Sequence, residues 1–295
     1  NEHIYMLRTI RYPWQLIGKI SNGLAVLTSI TISSQAALAA TVPTFDHIVL
    51  VIEENHGYSQ IIGSSSAPYI NSLATQGALF TNSHGVTHPS QPNYLALFSG
   101  STQAVTNDNC PLTFGGANLT TQLLGIGKTF IGYSESLPSV GYTGCNSGGS
   151  NGYYRKHNPW VDFTNVASSV NQPFTSFPSS ANFANLPTVS VVVPNQLDDM
   201  HNGTIQQGDT WLKNNLDAYA QWAKTHNSLL IVTFDEDNGT TSNRIATIFY
   251  GAHVITGQYS ENINHYNVLR TIEASYGLPG LNNATNATPI TDSWQ

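Results

Sequence analysis

Charge is what this chain has least of. Asp, Glu, Lys and Arg make up only 9% of its 295 residues, against a usual share of about 25%. Ten Lys and Arg stand against seventeen Asp and Glu, for a net charge of −7, and no basic run occurs anywhere. That argues against nucleic acid as a partner, since holding a phosphate backbone takes clustered cations. Cysteine is almost absent as well, with only Cys110 and Cys145. Neither sits in the close Cys/His spacing of a structural metal site. In an exported chain the two would pair, and the loop they close could contribute roughly 3–4 kcal/mol in the chain-entropy model. The alternative is two buried thiols. No repeat period and no low-complexity linker divides the sequence, so one large domain or two small ones fit its length.

Long hydrophobic runs are also missing. The longest early one, Leu24 to Ile32, is broken by Ser and Thr and is short of the ~20 residues a membrane span needs. It follows Arg8, Arg11 and Lys19 and precedes Ala37-Leu38-Ala39. A basic start, a moderately apolar middle and a small-x-small signal make residues 1–39 a candidate export leader, with an anchoring helix as the alternative. Residues 40–295 then form the working domain, secreted or periplasmic, with no stable membrane insertion once the leader is removed.

Asn, Ser, Thr and Gly are abundant. The chain is organised around Thr87-His88-Pro89-Ser90-Gln91-Pro92-Asn93-Tyr94, which runs on through apolar residues to Ser99-Gly100. Pro in the first turn and Gly at the end predict a helix starting near Gln91. Ser90 is then at a helix N-terminus, where free N–H groups and the dipole favour an anion. A serine there can be a cap or a nucleophile.

Apolar, β-branched runs at 47–52, 188–193 and 228–234 read as strands buried on both faces, as in a parallel sheet. Each ends in acidic residues: Glu53-Glu54-Asn55, then Asp198-Asp199 with His201, then Asp235-Glu236-Asp237. Parallel strands would bring these ends to one edge of the sheet, where open α/β folds carry their sites. Carboxylates so gathered repel one another, and a divalent cation would relieve that. Oxygen donors suit Mg²⁺, Ca²⁺ or Mn²⁺, and a carboxylate and His mixture also suits Zn²⁺. Further strands are predicted at 78–83, 128–133 and 245–251. Helices are predicted at 68–77, 119–124, 208–224 and 265–278, and residues 138–152 are a Gly/Ser-rich loop. Arg155-Lys156-His157 is the densest positive cluster after the leader, either a solvated turn or an anion clamp. His265 opens its helix as a cap or a site residue. A serine nucleophile, a carboxylate-bound cation and a basic clamp together point to phosphoryl transfer.

At this point the sequence resembles the phosphoesterase family, which includes bacterial phospholipases C and secreted acid phosphatases and belongs to the alkaline phosphatase superfamily. Five ordered motifs over roughly residues 45–295 carry the likeness: Glu54-Asn55-His56-Gly57-Tyr58; Ser90 through Asn93 to Gly100; Tyr154-Arg155-Lys156-His157-Asn158-Pro159; Asp198-Asp199-Met200-His201; and Phe234-Asp235-Glu236 with His265-Tyr266. The resemblance implies a three-layer α/β/α sandwich with a mostly parallel central sheet. It implies Ser90 as nucleophile, with Glu54, Asn55, Ser90, Asp235 and Glu236 around one divalent metal. Asn93, Lys156 and His157 would approach the phosphate, and His201 would protonate the leaving group. Asp198, Asp199 and His265 match second-metal positions of two-zinc relatives. Those relatives carry Asp where this chain has Glu54-Asn55, so one metal is expected. The function so implied is a secreted, metal-dependent acid phosphatase acting on small phosphorylated substrates through a phosphoserine. The alternatives are a phospholipase C or other phosphodiesterase on the same site and, more distantly, a metal-free serine esterase.

Overall fold

The structure is a computed structural model and describes residues 41–295. The expected leader, residues 1–39, lies outside the described residues.

The strands are β1 (His47–Glu53), β2 (Ala78–His84), β3 (Phe130–Ser134), β4 (Asn146–Ser147), β5 (Tyr153–Tyr154), β6 (Asn171–Pro173), β7 (Val189–Val193), β8 (Ser228–Phe234), β9 (Arg244–Gly251), β10 (Gly257–Tyr259) and β11 (Ile263–Asn264). The helices are α1 (Tyr58–Ile61), α2 (Pro68–Gln76), α3 (Ser90–Ser99), α4 (Leu119–Gly125), α5 (Ile205–Ala223) and α6 (His265–Ser275). Nine strands make one sheet in the order β10-β2-β9-β8-β1-β7-β3-β6, with β11 beside β2. β4 and β5 form a separate small hairpin inside the predicted 138–152 loop and its edge. Within the large sheet β9 runs against its neighbours β2 and β8, and every other pairing is parallel.

Strand periodicity decides the layering. In β1, Ile48, Leu50 and Ile52 pack with Tyr94, Leu95 and Phe98 of α3 and with α4 and α6, whereas Val49 and Val51 pack with Ile70 of α2 and with Trp211, Leu212 and Leu216 of α5. Each face of the sheet is therefore covered, giving the α/β/α sandwich. A strand so covered has no polar side to show, which is why β1, β7 and β8 are continuous apolar runs.

Five elements depart from expectation. α5 starts at Ile205, not Gly208, because the Thr204 side chain caps it by accepting from Gln207 N–H. The short edge strands β6, β10 and β11 have too few residues to show a period. α3 starts at Ser90 with Pro89 in the cap position and no side-chain cap bond.

α3 is buried along all ten of its residues. An all-buried helix needs apolar residues all round, and Tyr94-Leu95-Ala96-Leu97-Phe98 supplies them. It stops at Gly100, whose φ of 68° lies in the left-handed region. A Cβ there would stand 2.0 Å from the Leu281 carbonyl oxygen, so the residue is held to glycine by both torsion and space.

Away from the strand ends, α6 carries an acid of its own. Glu273 is fully buried; Oε1 accepts from Leu281 N–H at 2.9 Å and Oε2 has no hydrogen-bond partner. Burial pushes its pKa up to about 7, against the pull of the Leu281 amide and of Arg270. The folded state therefore binds this proton more tightly than the unfolded chain does. Its stabilising effect is complete below the unfolded value near 4.5 and fades as pH rises through about 7. Wild-type stability should thus fall between about pH 5 and about pH 7.5, and Glu273→Gln should flatten the fall by on the order of 1–3 kcal/mol. Urea denaturation across that range checks this; equal slopes in the two proteins would refute it.

Candidate active site

The C-terminal ends of β7, β1 and β8 lie side by side because the three strands are adjacent and parallel. Their loops bring Asp199, Glu54, Asp235 and Glu236 together. β2 runs the same way and leads into the 85–89 loop that delivers Ser90.

Ser90 is buried, and its hydroxyl is not spent on capping. Oγ donates to Glu54 Oε2 at 3.0 Å and lies 3.2 Å from Glu236 Oε1, so one proton is shared between two carboxylates. The loop before it is pinned by two asparagines. Asn93 Oδ1 accepts from the N–H groups of Val86 and Thr87, and its Nδ2 donates to the carbonyls of Thr87 and Pro89. All four bonds an amide can make are thereby used. Asn93, expected at the phosphate, here spends its amide on shaping the loop that leads into Ser90. Asn243 braces the same loop, donating to the Thr87 carbonyl at 3.0 Å and accepting from Asp237 N–H at 2.8 Å. It packs so close to Gly85 that a Cβ there would come within 2.6 Å of its amide.

Glu54 is the hub. Oε1 accepts from the Tyr94 hydroxyl at 2.6 Å, and His157 Nε2 is 3.2 Å from the same oxygen without hydrogen-bond geometry. The His157 ring stacks on Tyr94 at 4.8 Å. Gln196 Nε2 donates to His157 Nδ1 at 3.2 Å, which makes that nitrogen the acceptor and leaves the proton on Nε2, facing Glu54. Burial first, then Lys156 and His201, hold this imidazole well below its usual pKa, so it is neutral.

The Asp235 carboxyl is fully buried. Oδ1 accepts from the Asn55 backbone N–H at 3.0 Å, and Oδ2 has no partner. Burial first, then Glu54 and Glu236, raise its pKa well above the carboxylate range. Glu236 is raised too, by burial, against the opposing pull of His88, to which its Oε2 is bonded. Burial disfavours charge on His88, but the Thr240 carbonyl and Glu236 outweigh it and raise its pKa. Glu53, by contrast, takes the sheet face of Val49 and Val51. It is buried without a partner, and its pKa is raised well above normal by burial, then by Asp198, Asp209 and Glu135.

Lys156 Nζ binds Asp108 Oδ2 at 2.9 Å, and Asp108 Oδ1 accepts from the Gln91 N–H at 3.0 Å. His201 is exposed, with Nδ1 2.8 Å from Asn202 Oδ1. Arg155 does not join the clamp. Its Nε donates to Asp162 at 2.9 Å, and its other nitrogens donate to the carbonyls of Thr143, Leu112 and Val161. The three cations read as one cluster are thus one structural Arg and two site residues.

The expected second-metal trio is not assembled. Asp198 takes a bond from Gln207, and its charge acts on Glu135 and Glu53. Asp199 Oδ1 accepts from His201 N–H, and His265 Nε2 donates to the Asp235 carbonyl. Burial pushes the His265 pKa down to about 4. The disulfide does form: Cys110–Cys145, with Cα atoms 5.8 Å apart. It ties the Asp108 loop to the segment whose Cys145 carbonyl accepts from Arg155 N–H.

Among the described residues, no three His, Cys, Asp or Glu side chains stand in closed-cage spacing for a metal. The donor chemistry nevertheless fits a hard cation. Glu54, Asp235 and Glu236 are at most 5% exposed, and one Asp235 oxygen is unpaired. Burying each charge costs several kcal/mol unless it is paired. His88 bonds Glu236 and Lys156 feels Glu54 and Asp235, but Asp235 Oδ2 finds no partner among the described residues, and a proton or a bound cation would complete the neutralisation.

Sequence reasoning missed Tyr94, Gln196, His88 and Asp108. Tyr94 and His88 lie within the Ser90 motif, but nothing in the residue type marks them. Asp108 and Gln196 join the site only through folding.

The sequence pattern of the Phosphoesterase family matches residues 64–279. The chain belongs to the phosphoesterase family, and it is a phosphoric ester hydrolase. It is 51% identical to a phosphatidylinositol-3-phosphatase of Mycobacterium tuberculosis over 98% of this chain and 99% of that one. It is 31% identical to an acid phosphatase of Aspergillus fumigatus, over 80% of this chain and 56% of that protein, and so spans little more than half of this fungal relative. An alkaline phosphatase superfamily protein from Vibrio parahaemolyticus shares the fold, with a TM-score of 0.56 and 11% identity over 81% of this chain and 69% of that one. A phosphonate monoester hydrolase from Silicibacter pomeroyi does likewise, with a TM-score of 0.55 and 12% identity over 83% and 76%.

Arg155→Lys should show that the basic turn depends on one guanidinium. Lys cannot reproduce the fork, so Asp162 and several carbonyls lose donors. Stability should drop by on the order of 2–4 kcal/mol, and hydrolysis of p-nitrophenyl phosphate should drop about ten-fold or more as Lys156 and His157 shift. A thermal melt and an assay read both. Unchanged melting would refute the bracing role.

Proposed function

We propose that the protein is a metal-dependent phosphomonoesterase that works through a phosphoserine on Ser90. The observation that carries this is the Ser90 hydroxyl, buried, free of any capping bond and shared by Glu54 and Glu236. Ser90 Oγ attacks phosphorus, and its proton passes to the carboxylate pair that already holds it. The P–O bond to the leaving alcohol breaks, and His201, which is exposed, supplies the proton that alcohol takes. Water then attacks the phosphoserine, returning the serine and releasing inorganic phosphate. Lys156 and the N–H groups at the start of α3 balance the charge on the phosphoryl oxygens. Neutral His157 stacks on Tyr94 with its Nε2 beside Glu54. Glu54, Asn55, Ser90, Asp235 and Glu236 would hold one divalent ion, which supplies charge neutralisation and a lowered hydroxyl pKa when bound.

The 51% likeness to a phosphatidylinositol-3-phosphatase over nearly the whole of both chains supports a phosphoinositide monoester as substrate, ahead of a phosphodiester. The acid phosphatase relatives and the low charge support an acidic working pH. The leader pattern and the disulfide support export.

The test is hydrolysis of p-nitrophenyl phosphate by wild type and Ser90→Ala, each before and after chelation. Wild type should turn over, and either change should abolish turnover. Activity that survives in Ser90→Ala would refute the nucleophile, and activity that survives chelation would refute the metal. Phosphate release from phosphatidylinositol 3-phosphate, with none of the diester phosphatidylcholine cleaved, is the outcome expected for the substrate class.

A further inference from the structure

The carboxylate of Asp108 is held by two donors on one side of Ser90. Oδ1 accepts from the Gln91 N–H at 3.0 Å, and Oδ2 accepts from Lys156 Nζ at 2.9 Å. The Gln91 amide directly follows Ser90, so a phosphoryl group on Oγ has its oxygens within reach of it. The Lys156 ammonium is largely buried, and Glu54 and Asp235 are among the charges that raise its pKa. It therefore lies in the field of the same carboxylates that surround Ser90. These are the donors an anion at Ser90 would use.

We propose that Asp108 is a resident competitor for the phosphate position: its carboxylate occupies the Gln91 N–H and Lys156 until a phosphoryl group displaces it, and returns to them when phosphate leaves. This rests on the phosphatase reading above. The geometry suits displacement. Asp108 is 31% exposed at the side chain, unlike Glu54 or Asp235, and so has water to move into. Among the described residues its carboxylate has no other hydrogen-bond partner than these two donors. Its loop is anchored two residues later by Cys110–Cys145, which keeps the carboxylate close and its effective concentration high. A tethered carboxylate on charge-assisted donors weakens every anion that must replace it. It also favours departure of the product, since the donors phosphate leaves are not left bare.

A cap-only role makes the opposite forecast. If Asp108 merely caps α3 and positions Lys156, its loss disorders the donors and weakens phosphate binding. Competition predicts tighter binding instead. The experiment compares wild type, Asp108→Asn and Asp108→Ala for competitive inhibition of p-nitrophenyl phosphate hydrolysis by inorganic phosphate. Calorimetric titration of inorganic phosphate into metal-loaded Ser90→Ala and Ser90→Ala/Asp108→Ala gives a readout independent of turnover. The inhibition constant and KM should fall about ten-fold in Asp108→Ala, and less in Asp108→Asn, which keeps an oxygen for the Gln91 amide. The calorimetric Kd should fall in parallel. Equal or weaker phosphate binding without Asp108 overturns the proposal and leaves the phosphatase reading standing. A wild type that neither hydrolyses the ester nor binds phosphate overturns both.

Discussion

Three buried carboxylates gathered on one serine are the constraint from which the rest of this structure follows. Glu54, Asp235 and Glu236 sit where water is excluded, with a single hydroxyl proton shared by two of them. Such a group is unstable alone, and the surrounding chain works to hold it in place. Tyr94 donates to one Glu54 oxygen, the Asn55 amide to one Asp235 oxygen and His88 to one Glu236 oxygen. The donors come from α3, the loop after β1 and the loop between β2 and α3, and the acceptors from the ends of β1 and β8, so the site exists only when all of these are seated. The unpaired Asp235 oxygen is the remaining vacancy in that bonding scheme.

Why this edge of the sheet can carry the load is a matter of topology. β1 is flanked by β7 and β8, both parallel to it, so three acidic loops leave the sheet on one side and meet over the strand between them. An antiparallel neighbour would send its loop to the far edge. β9, the one opposed strand, lies beyond β8 and leaves the cluster undisturbed. The fully buried α3 then faces the cluster with its N-terminus, while its C-terminus is stopped by Gly100 against Leu281. The helix is thereby fixed at both ends, and the hydroxyl of its first residue is positioned without any capping bond of its own.

How far the sequence discloses this depends on the range of the signal. β1, β7 and β8 are legible because burial on both faces forces continuous apolar runs, and the acids at their ends are legible as interruptions of those runs. Ser90, Glu54, Asp235 and Glu236 are singled out only through the resemblance to the phosphoesterase family, since the pattern by itself leaves Ser90 open as a cap or a nucleophile. What is not legible is which way a polar side chain is spent. Arg155, Lys156 and His157 are consecutive and look alike in sequence, but they divide among a buried Asp162, a half-buried Asp108 and a stacked Tyr94. Asn93 sits in the right place for a ligand contact, and yet all four of its bonds close on the loop beside it. Asp198 and Asp199 are neighbours whose carboxylates part, one toward Glu135 and the other toward Gln196 and the His201 amide. No local rule separates such pairs, because the choice is made by residues far away in sequence.

That division of labour also explains why the basic turn carries a residue with no business in the site. Arg155 has donors enough to satisfy Asp162 and three carbonyls from separate loops. A short turn with no regular helix or sheet to brace it needs that many anchors, because its own backbone bonds are few. The guanidinium fork supplies them from one side chain. Lys156 Nζ is held by Asp108 instead, and His157 stacks neutral against Tyr94. In a chain with so few cations, one is spent wholly on structure. The disulfide acts on the same segment from the other side: Cys145 accepts the Arg155 amide through its carbonyl, and Cys110 lies two residues from Asp108. The oxidised pair therefore links the two loops whose residues, Asp108 and Lys156, meet at the start of α3 beside Ser90.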